Sequence, residues 1–224
     1  SDLEMDRAST QASVDRVLSY SEIEQKAKKQ GIKDPTAVDI VHVVLKESKI
    51  RRLSVPANFP VIHAARLQER GYSLKPKRDP FYEQRVLKTA EEVRHIEDAQ
   101  RATEEAVAAA HMLLRRAEIK DEQLWLDGEV VTSERIKKFV NVKLMERDCI
   151  AQHTIVAGGE QACDPHNEGS GPLPAHRSII FDVFPRSAMS RYFADMSRTV
   201  IRGKVSAELK RLYSAVKDAQ EDAI

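Results

Sequence analysis

The sequence has 224 residues, of which 42% are hydrophobic and 32% are charged, and its formal net charge at pH 7 is +1. This size suits one or two globular domains with a sizeable core, and the near-zero charge argues against a nucleic-acid partner. Two cysteines, Cys149 and Cys163, are too few for a disulfide framework and indicate reduced thiols. No apolar run approaches the roughly 20 residues of a membrane span, and no signal peptide is visible. We therefore expect a cytoplasmic protein without a membrane partner.

The first third of the chain has the pattern of a small α/β unit. The spacing of Ser21 and Glu24 is that of a capping box, which predicts a helix start. Farther on, the order strand–helix–strand favours a parallel strand pair. We predict a partial α/β domain over residues 1–75 and a polar, proline-containing linker over 76–88. The predicted elements are helices to Gly31 and from Asp34 to Glu47, a strand over 51–55, a helix from Pro60 to Gly71 and a strand over 72–74.

The remainder of the chain predicts long helices followed by short strands. Thr89 and Glu92 have capping-box spacing at the start of a long amphipathic pattern. From about residue 150 the sequence changes to apolar segments separated by glycine-rich loops, and Ser206 occupies the N-cap position of a last helix. The two long helices are predicted over 90–116 and 133–147. We therefore predict an α+β domain over 89–224.

The stretch FDVFPRSAMSRYFADMSRTV, residues 181–200, predicts an antiparallel hairpin that carries two aspartates. If its loop has four residues, 187–190, then Asp182 lies opposite Asp195 on one face, with Cβ atoms roughly 5 Å apart. Carboxylates placed in this way repel each other, and a shared proton or, better, a divalent cation would relieve the repulsion. A bulge or a longer loop that keeps the aspartates apart is the alternative, and the pattern leaves both open.

Three stretches of the chain carry the motifs of a known family. They are KTAEEVRHIEDAQRATEEAV, TIVAGGEQACDPHNEGSGPL and IIFDVFPRSAMSRYFADMSRTVIRGKVSAELKRLYSAV. Together they resemble the catalytic domain of the creatinase/aminopeptidase P/methionine aminopeptidase family, and most of all its Xaa-Pro peptidase branch. The resemblance covers about 85–224 and is weaker over 1–84. It implies a pita-bread catalytic domain, of which this chain holds the N-terminal half, after part of a small α/β creatinase-type domain.

The same resemblance implies a site for two divalent metal ions, which could be Mn, Co, Zn or Fe, held by five side-chain ligands. Asp182 matches the first aspartate ligand, and Asp195 matches the second, which bridges both metals. His166 matches a histidine that binds no metal and assists at the scissile amide. The three later ligands of the family have no counterpart here, so we expect roughly the second half of the catalytic domain to lie outside this chain.

For the whole protein, the resemblance implies metal-dependent hydrolysis of Xaa-Pro peptide bonds by a homodimer. The substrate would be a peptide with proline at its second position, and the fragment alone is expected to be inactive. Two alternatives are a metal-free pita-bread module that only binds other molecules and a creatinase-like hydrolase of C–N bonds. Asp182, Asp195 and His166 together favour the peptidase over both. The sequence does not distinguish an aminopeptidase from a dipeptidase.

Overall fold

The computed structural model describes residues 2–224, and the chain divides into two compact units, Ser1–Leu87 and Lys88–Ile224. The first unit has two small apolar clusters, whereas the second has one extensive core that draws on all its major elements except the last helix. Within residues 2–224, no helix has both the length and the apolar character that a membrane crossing requires.

The first unit is built around one pair of parallel strands. β1 (Arg52–Pro56) pairs with β2 (Ser73–Lys77), with Leu53 opposite Leu74, and a helix forms the crossover between them. The parallel pair that the element order predicted is therefore confirmed. The helices of this unit are α1 (Met5–Gln11), α2 (Tyr20–Lys29), α3 (Ala37–Glu47) and α4 (Val61–Glu69).

The N-cap of helix α2 lies two residues before the predicted one. The N-cap is Ser19, whose Oγ accepts a hydrogen bond from the Glu22 N–H at 3.2 Å, and the prediction of Ser21 is wrong. Ser19 Oγ also donates to the Asp2 carboxylate at 3.0 Å. Because this second bond lies outside the helix, the local spacing of serine and glutamate could not distinguish between the two serines.

The second unit contains three long helices, two three-stranded antiparallel sheets and one two-stranded sheet. Helix α5 (Ala90–Arg116) begins with the predicted capping box, since Thr89 Oγ accepts from the Glu92 N–H and Glu92 accepts from the Thr89 N–H. The other elements are β3 (Glu118–Lys120), β4 (Gln123–Leu126), β5 (Glu129–Val130), α6 (Ser133–Met145), β6 (Cys149–Ile150), β7 (Ile155–Gly158), β8 (Ile179–Val183), β9 (Arg186–Ser187), β10 (Met196–Val200) and α7 (Ala207–Ala223).

The central sheet has the strand order β10–β8–β7, and its two faces differ in character. Phe181 and Val183 of β8 are fully buried in the core. Alternate residues of a strand point to opposite faces, so Asp182 lies on the face turned away from that core. The helix α5 packs against this sheet and against α6 through a row of small buried residues, Ala102, Ala106 and Ala110.

The register of the β8–β10 hairpin differs by two residues from the predicted one. Asp182 pairs with Ser197, so the prediction that it faces Asp195 is wrong. The turn explains the difference: Ser187 N–H donates to Tyr192 O at 2.9 Å, which makes the loop 188–191. Ser187 closes this loop because its carbonyl oxygen and its Oγ both accept hydrogen bonds from loop N–H groups. A register shift of two residues leaves each side chain on the same face of the sheet. If β10 is continued by one residue toward its N-terminus, Asp195 is the diagonal neighbour of Asp182 on that face.

Candidate functional site

A cavity of about 340 Å³ lies on the outward face of the central sheet. Its floor comes from alternate residues of the three strands, and the segment 162–165 after β7 forms one side. Asp182 is the charged side chain of the floor, at the middle strand. The lining residues are Ile155, Ala157, Ala162, Cys163, Asp164, Pro165, Ile180, Asp182, Ser197 and Thr199.

Asp182 is half-buried and already has a partner. Its carboxylate accepts a hydrogen bond from Ser197 Oγ at 2.6 Å, directly across the β8–β10 pair. Such a short bond to a carboxylate is of the stronger, charge-assisted type. The register therefore places a hydroxyl donor where the sequence predicted a second acid, and the like-charge repulsion expected there is replaced by a favourable contact.

Asp195 is exposed and lies just before β10. Within residues 2–224 its carboxylate has no hydrogen bond and no ion pair, and it is outside the cavity lining. Its position is therefore set by the backbone on either side of it: Ala194 N–H donates to Pro185 O at 3.0 Å, and Met196 is paired with Val183. The structure brings the two aspartates to the same region of the hairpin without making them direct partners.

His166 is exposed in the loop that follows β7, one position after the lining residue Pro165. Its backbone N–H donates to the Asp164 carboxylate at 2.9 Å, which closes a tight turn over Pro165. Both Asp164 and Pro165 line the cavity that contains Asp182. His166 therefore adjoins the cavity wall in sequence, but it is not one of the residues that line the cavity.

Gly169 fastens the loop of His166 to the body of the unit. It is buried, with φ +78°, and a Cβ added there would collide with the Val156 carbonyl oxygen. Its own carbonyl oxygen accepts a hydrogen bond from Lys137 Nζ at 2.9 Å, and its N–H donates to the Asn167 side chain at 2.9 Å. Because only glycine combines this backbone conformation with this close approach, Gly169 determines the path of the loop.

A further contact of the hairpin was not foreseen from the sequence. Tyr192, three residues before Asp195, donates from its hydroxyl to Glu92 Oε1 at 2.7 Å. The capping-box spacing marked Glu92 as a residue that binds backbone, but it gave no signal for a partner 100 positions away. Hydrogen bonds from the Thr89 backbone and then from Tyr192 lower the pKa of Glu92. The anionic Glu92 is consequently a strong acceptor for the tyrosine.

The donor set is suited to a hard divalent cation but supplies only part of a coordination shell. The cavity offers oxygen atoms from Asp182, Asp164, Ser197 and Thr199, which is the ligand type that such cations prefer. In the described part of the chain, however, no group of three or more His, Cys, Asp or Glu side chains is arranged to hold a metal ion. Asp182 and Asp195 thus have the ligand chemistry of a metal site, but the described residues do not complete a coordination shell around them.

Comparison with known proteins identifies relatives of the chain. Residues 94–224 match metallopeptidase family M24. A Xaa-Pro dipeptidase of Pyrococcus furiosus is 21% identical over 212 residues, which cover 92% of this chain and 57% of that protein. The chain therefore spans little more than half the length of this curated relative.

Solved structures of similar proteins have the same fold. A Xaa-Pro dipeptidase from Bacillus anthracis superposes with a TM-score of 0.74 at 17% identity, over 97% of this chain and 55% of that one. An X-Pro aminopeptidase from Thermotoga maritima gives a TM-score of 0.67 at 21% identity, over 82% and 49%. The predicted resemblance and the predicted α+β, pita-bread fold class are thus confirmed, with this chain corresponding to about half of each structure.

Proposed function

Because this chain belongs to metallopeptidase family M24, we propose that the protein of which it forms part hydrolyses Xaa-Pro peptide bonds with the help of two divalent metal ions. The observation that carries the proposal is the position of Asp182 in a largely apolar cavity that also offers side-chain oxygens from Asp164, Ser197 and Thr199, within the matched residues 94–224. Asp195 and His166 lie in the same matched region. The names of the relatives, Xaa-Pro dipeptidase and X-Pro aminopeptidase, support the substrate class.

Each candidate residue has a distinct role in this proposal. Asp182 and Asp195 bind the metal ions, and Ser197 orients the Asp182 carboxylate by its hydrogen bond. Bound ions of this kind polarise a carbonyl group and lower the pKa of a coordinated water. His166 follows the lining residue Pro165 in sequence, and in this proposal its imidazole donates a hydrogen bond to the oxygen of the scissile amide as negative charge develops there. Proline has no amide N–H, so the substrate's second residue must be recognised by ring shape.

Other features of the whole protein are proposed on the resemblance. We propose that the three remaining ligands lie beyond residue 224, since this chain covers only 57% and 55% of the length of two relatives. The metals could be Mn, Co, Zn or Fe, and a cytoplasmic homodimer is the proposed form. The division of the chain between Leu87 and Lys88 supports a catalytic domain over 89–224, whereas the partial α/β domain over 1–75 and the linker over 76–88 stay predictions.

The test is an assay of the full-length protein with matched peptides. We expect Mn²⁺-dependent release of the first residue from an Xaa-Pro peptide and none from the same peptide with alanine in place of proline. Asp182→Asn should abolish turnover, whereas the matched control Asp218→Asn, an exposed aspartate of α7, should not change it. Equal cleavage of both peptides, or full activity of Asp182→Asn, would show the proposal to be wrong.

Two further variants separate the proposed roles. His166→Ala should lower kcat by roughly 10²-fold or more without changing the metal content, because a group at the substrate is lost and no ligand is removed. Residues 1–224 alone should show no turnover with Mn²⁺ and an Xaa-Pro peptide. Stoichiometric loss of metal from His166→Ala would contradict the role given to the histidine, and turnover by residues 1–224 would contradict the need for further ligands.

A further inference from the structure

The loop end of the hairpin is fastened to the first turns of α5. Tyr192 Oη donates to Glu92 Oε1 at 2.7 Å. His95, three residues after Glu92, stacks on the tyrosine ring with ring centroids 5.7 Å apart and an interplanar angle of 24°. The tyrosine is therefore held at its hydroxyl and across its ring by two residues of the same helix.

Glu92 is itself fixed in place by the helix start. Its second carboxylate oxygen, Oε2, accepts a hydrogen bond from the Thr89 N–H at 2.7 Å, and its own N–H donates to Thr89 Oγ at 3.2 Å. One oxygen of the carboxylate thus closes the capping box, and the other receives Tyr192. A carboxylate with both oxygens engaged is a more rigid anchor than a free surface glutamate, because its rotamer is already determined.

Asp195 has no side-chain anchor of its own, and the Tyr192 anchor adds to the backbone pairing of its neighbours, Ala194 with Pro185 and Met196 with Val183. Its carboxylate has no hydrogen-bond or ion-pair partner within residues 2–224, so the backbone of the segment 188–195 determines where it lies. Tyr192 is within this segment, and its side chain provides a connection to α5 that the backbone pairing of Ser187 with Tyr192 does not supply. Only Phe193 and Ala194 lie between Tyr192 and Asp195, so a movement of Tyr192 would be transmitted to Asp195 over a short stretch of backbone.

We propose that Glu92 and Tyr192 are positioning residues, which hold Asp195 in place for metal binding through the hydrogen bond between them. This inference rests on the proposed function, since it assigns the two residues to the metal site proposed there. The Tyr192 hydroxyl is expected only to fix the position of the loop, because in this proposal neither Glu92 nor Tyr192 contacts the metal ions or the substrate.

The test uses Tyr192→Phe in the full-length protein, because this change removes the hydroxyl and keeps the ring that stacks on His95. The matched control is Tyr213→Phe on α7, whose ring is 63% exposed. Hydrogen–deuterium exchange needs no metal, and we expect the amides of 188–196 to exchange roughly 10-fold faster in Tyr192→Phe and unchanged in Tyr213→Phe. Unchanged exchange of 188–196 in Tyr192→Phe would overturn the proposal.

The second measurement is the affinity for Mn²⁺, determined by calorimetry on the same proteins. Tyr192→Phe should weaken binding about 10-fold in the wild-type background and have no effect in the Asp195→Asn background, because it acts through Asp195. Equal weakening in both backgrounds, or faster exchange with unchanged affinity, would overturn the positioning role. A wild-type protein that binds no Mn²⁺ would instead overturn the proposed function, so the two failures are distinguishable.

Discussion

Helices α5 and α7 begin in the same way but differ in what they bury. Each starts after a hydroxyl that accepts a hydrogen bond from a backbone N–H, that of Thr89 for α5 and that of Ser206 for α7. Of the 27 residues of α5, seven are buried, whereas none of the 17 residues of α7 is buried. A cap therefore determines where a helix starts, but packing determines how much the helix contributes to the free energy of unfolding.

The largest expected effect comes from matched leucine truncations in the two helices. Leu114 of α5 is 3% exposed and Leu212 of α7 is 60% exposed. Leu114→Ala should lower the free energy of unfolding by about 2–5 kcal/mol, because it removes buried methyl groups and leaves a cavity. Leu212→Ala should change it by less than about 0.5 kcal/mol. Urea denaturation of residues 1–224 measures both changes. A similar loss of unfolding free energy in the two variants would show that burial does not distinguish the two helices.

Removal of the caps should give a smaller effect of the same kind. Thr89→Ala should lower the free energy of unfolding by about 0.5–2 kcal/mol, since the capping box of a packed helix is lost. Ser206→Ala removes a corresponding bond, but α7 can fray without exposing core residues. We therefore expect the free energy of unfolding of Ser206→Ala to change little, while its helical circular dichroism signal decreases. A loss from Ser206→Ala equal to that from Thr89→Ala would show that α7 is coupled to the core.

The smallest expected effect is a pH dependence at the start of α5. Hydrogen bonds from the Thr89 backbone and from Tyr192 lower the pKa of Glu92 from its ordinary value of 4.5. A carboxyl group with a lowered pKa stabilises the folded state above its ordinary pKa, and this contribution is lost as the pH falls through the folded value. The stability difference between the wild type and Glu92→Gln should therefore shrink from about pH 4.5 downward.

The control for this titration is Glu104→Gln, an exposed glutamate on the same helix. Urea melts between pH 7 and pH 3 should show a pH-dependent difference from the wild type for Glu92→Gln that Glu104→Gln does not reproduce. If the advantage of the wild type over Glu92→Gln stays constant over this range, the ionised form of Glu92 is not the one that the capping box and Tyr192 stabilise.

Features fixed by neighbouring residues could be predicted from the sequence. The bounds of α5 follow from a capping box at one end and a continuous amphipathic pattern, so the predicted range 90–116 agrees with the structure. The parallel pairing of β1 and β2 follows from element order alone. In both cases the determining interactions lie within the element or between consecutive elements, where residue patterns report them.

Features fixed by distant contacts could not be predicted in this way. The hairpin register depends on how Ser187 closes its loop, and the residue types in PRSAMSR are compatible with a turn one position earlier. The hydrogen bond between Glu92 and Tyr192 joins residues 100 positions apart, and no periodic pattern in the sequence indicates it. For the site, the sequence identified Asp182, Asp195 and His166 through family motifs, but the hydroxyl partner of Asp182 required the actual register.

The register also has a consequence for how the hairpin folds. A pairing displaced by two residues would keep every side chain on its native face, so hydrophobic burial alone discriminates poorly against it during folding. That mispaired hairpin would bring Asp182 directly opposite Asp195, where like charges cost on the order of 0.2–1 kcal/mol. The native pairing instead gives Asp182 the Ser197 hydroxyl. The two acids thus make the displaced pairing less favourable than the native one.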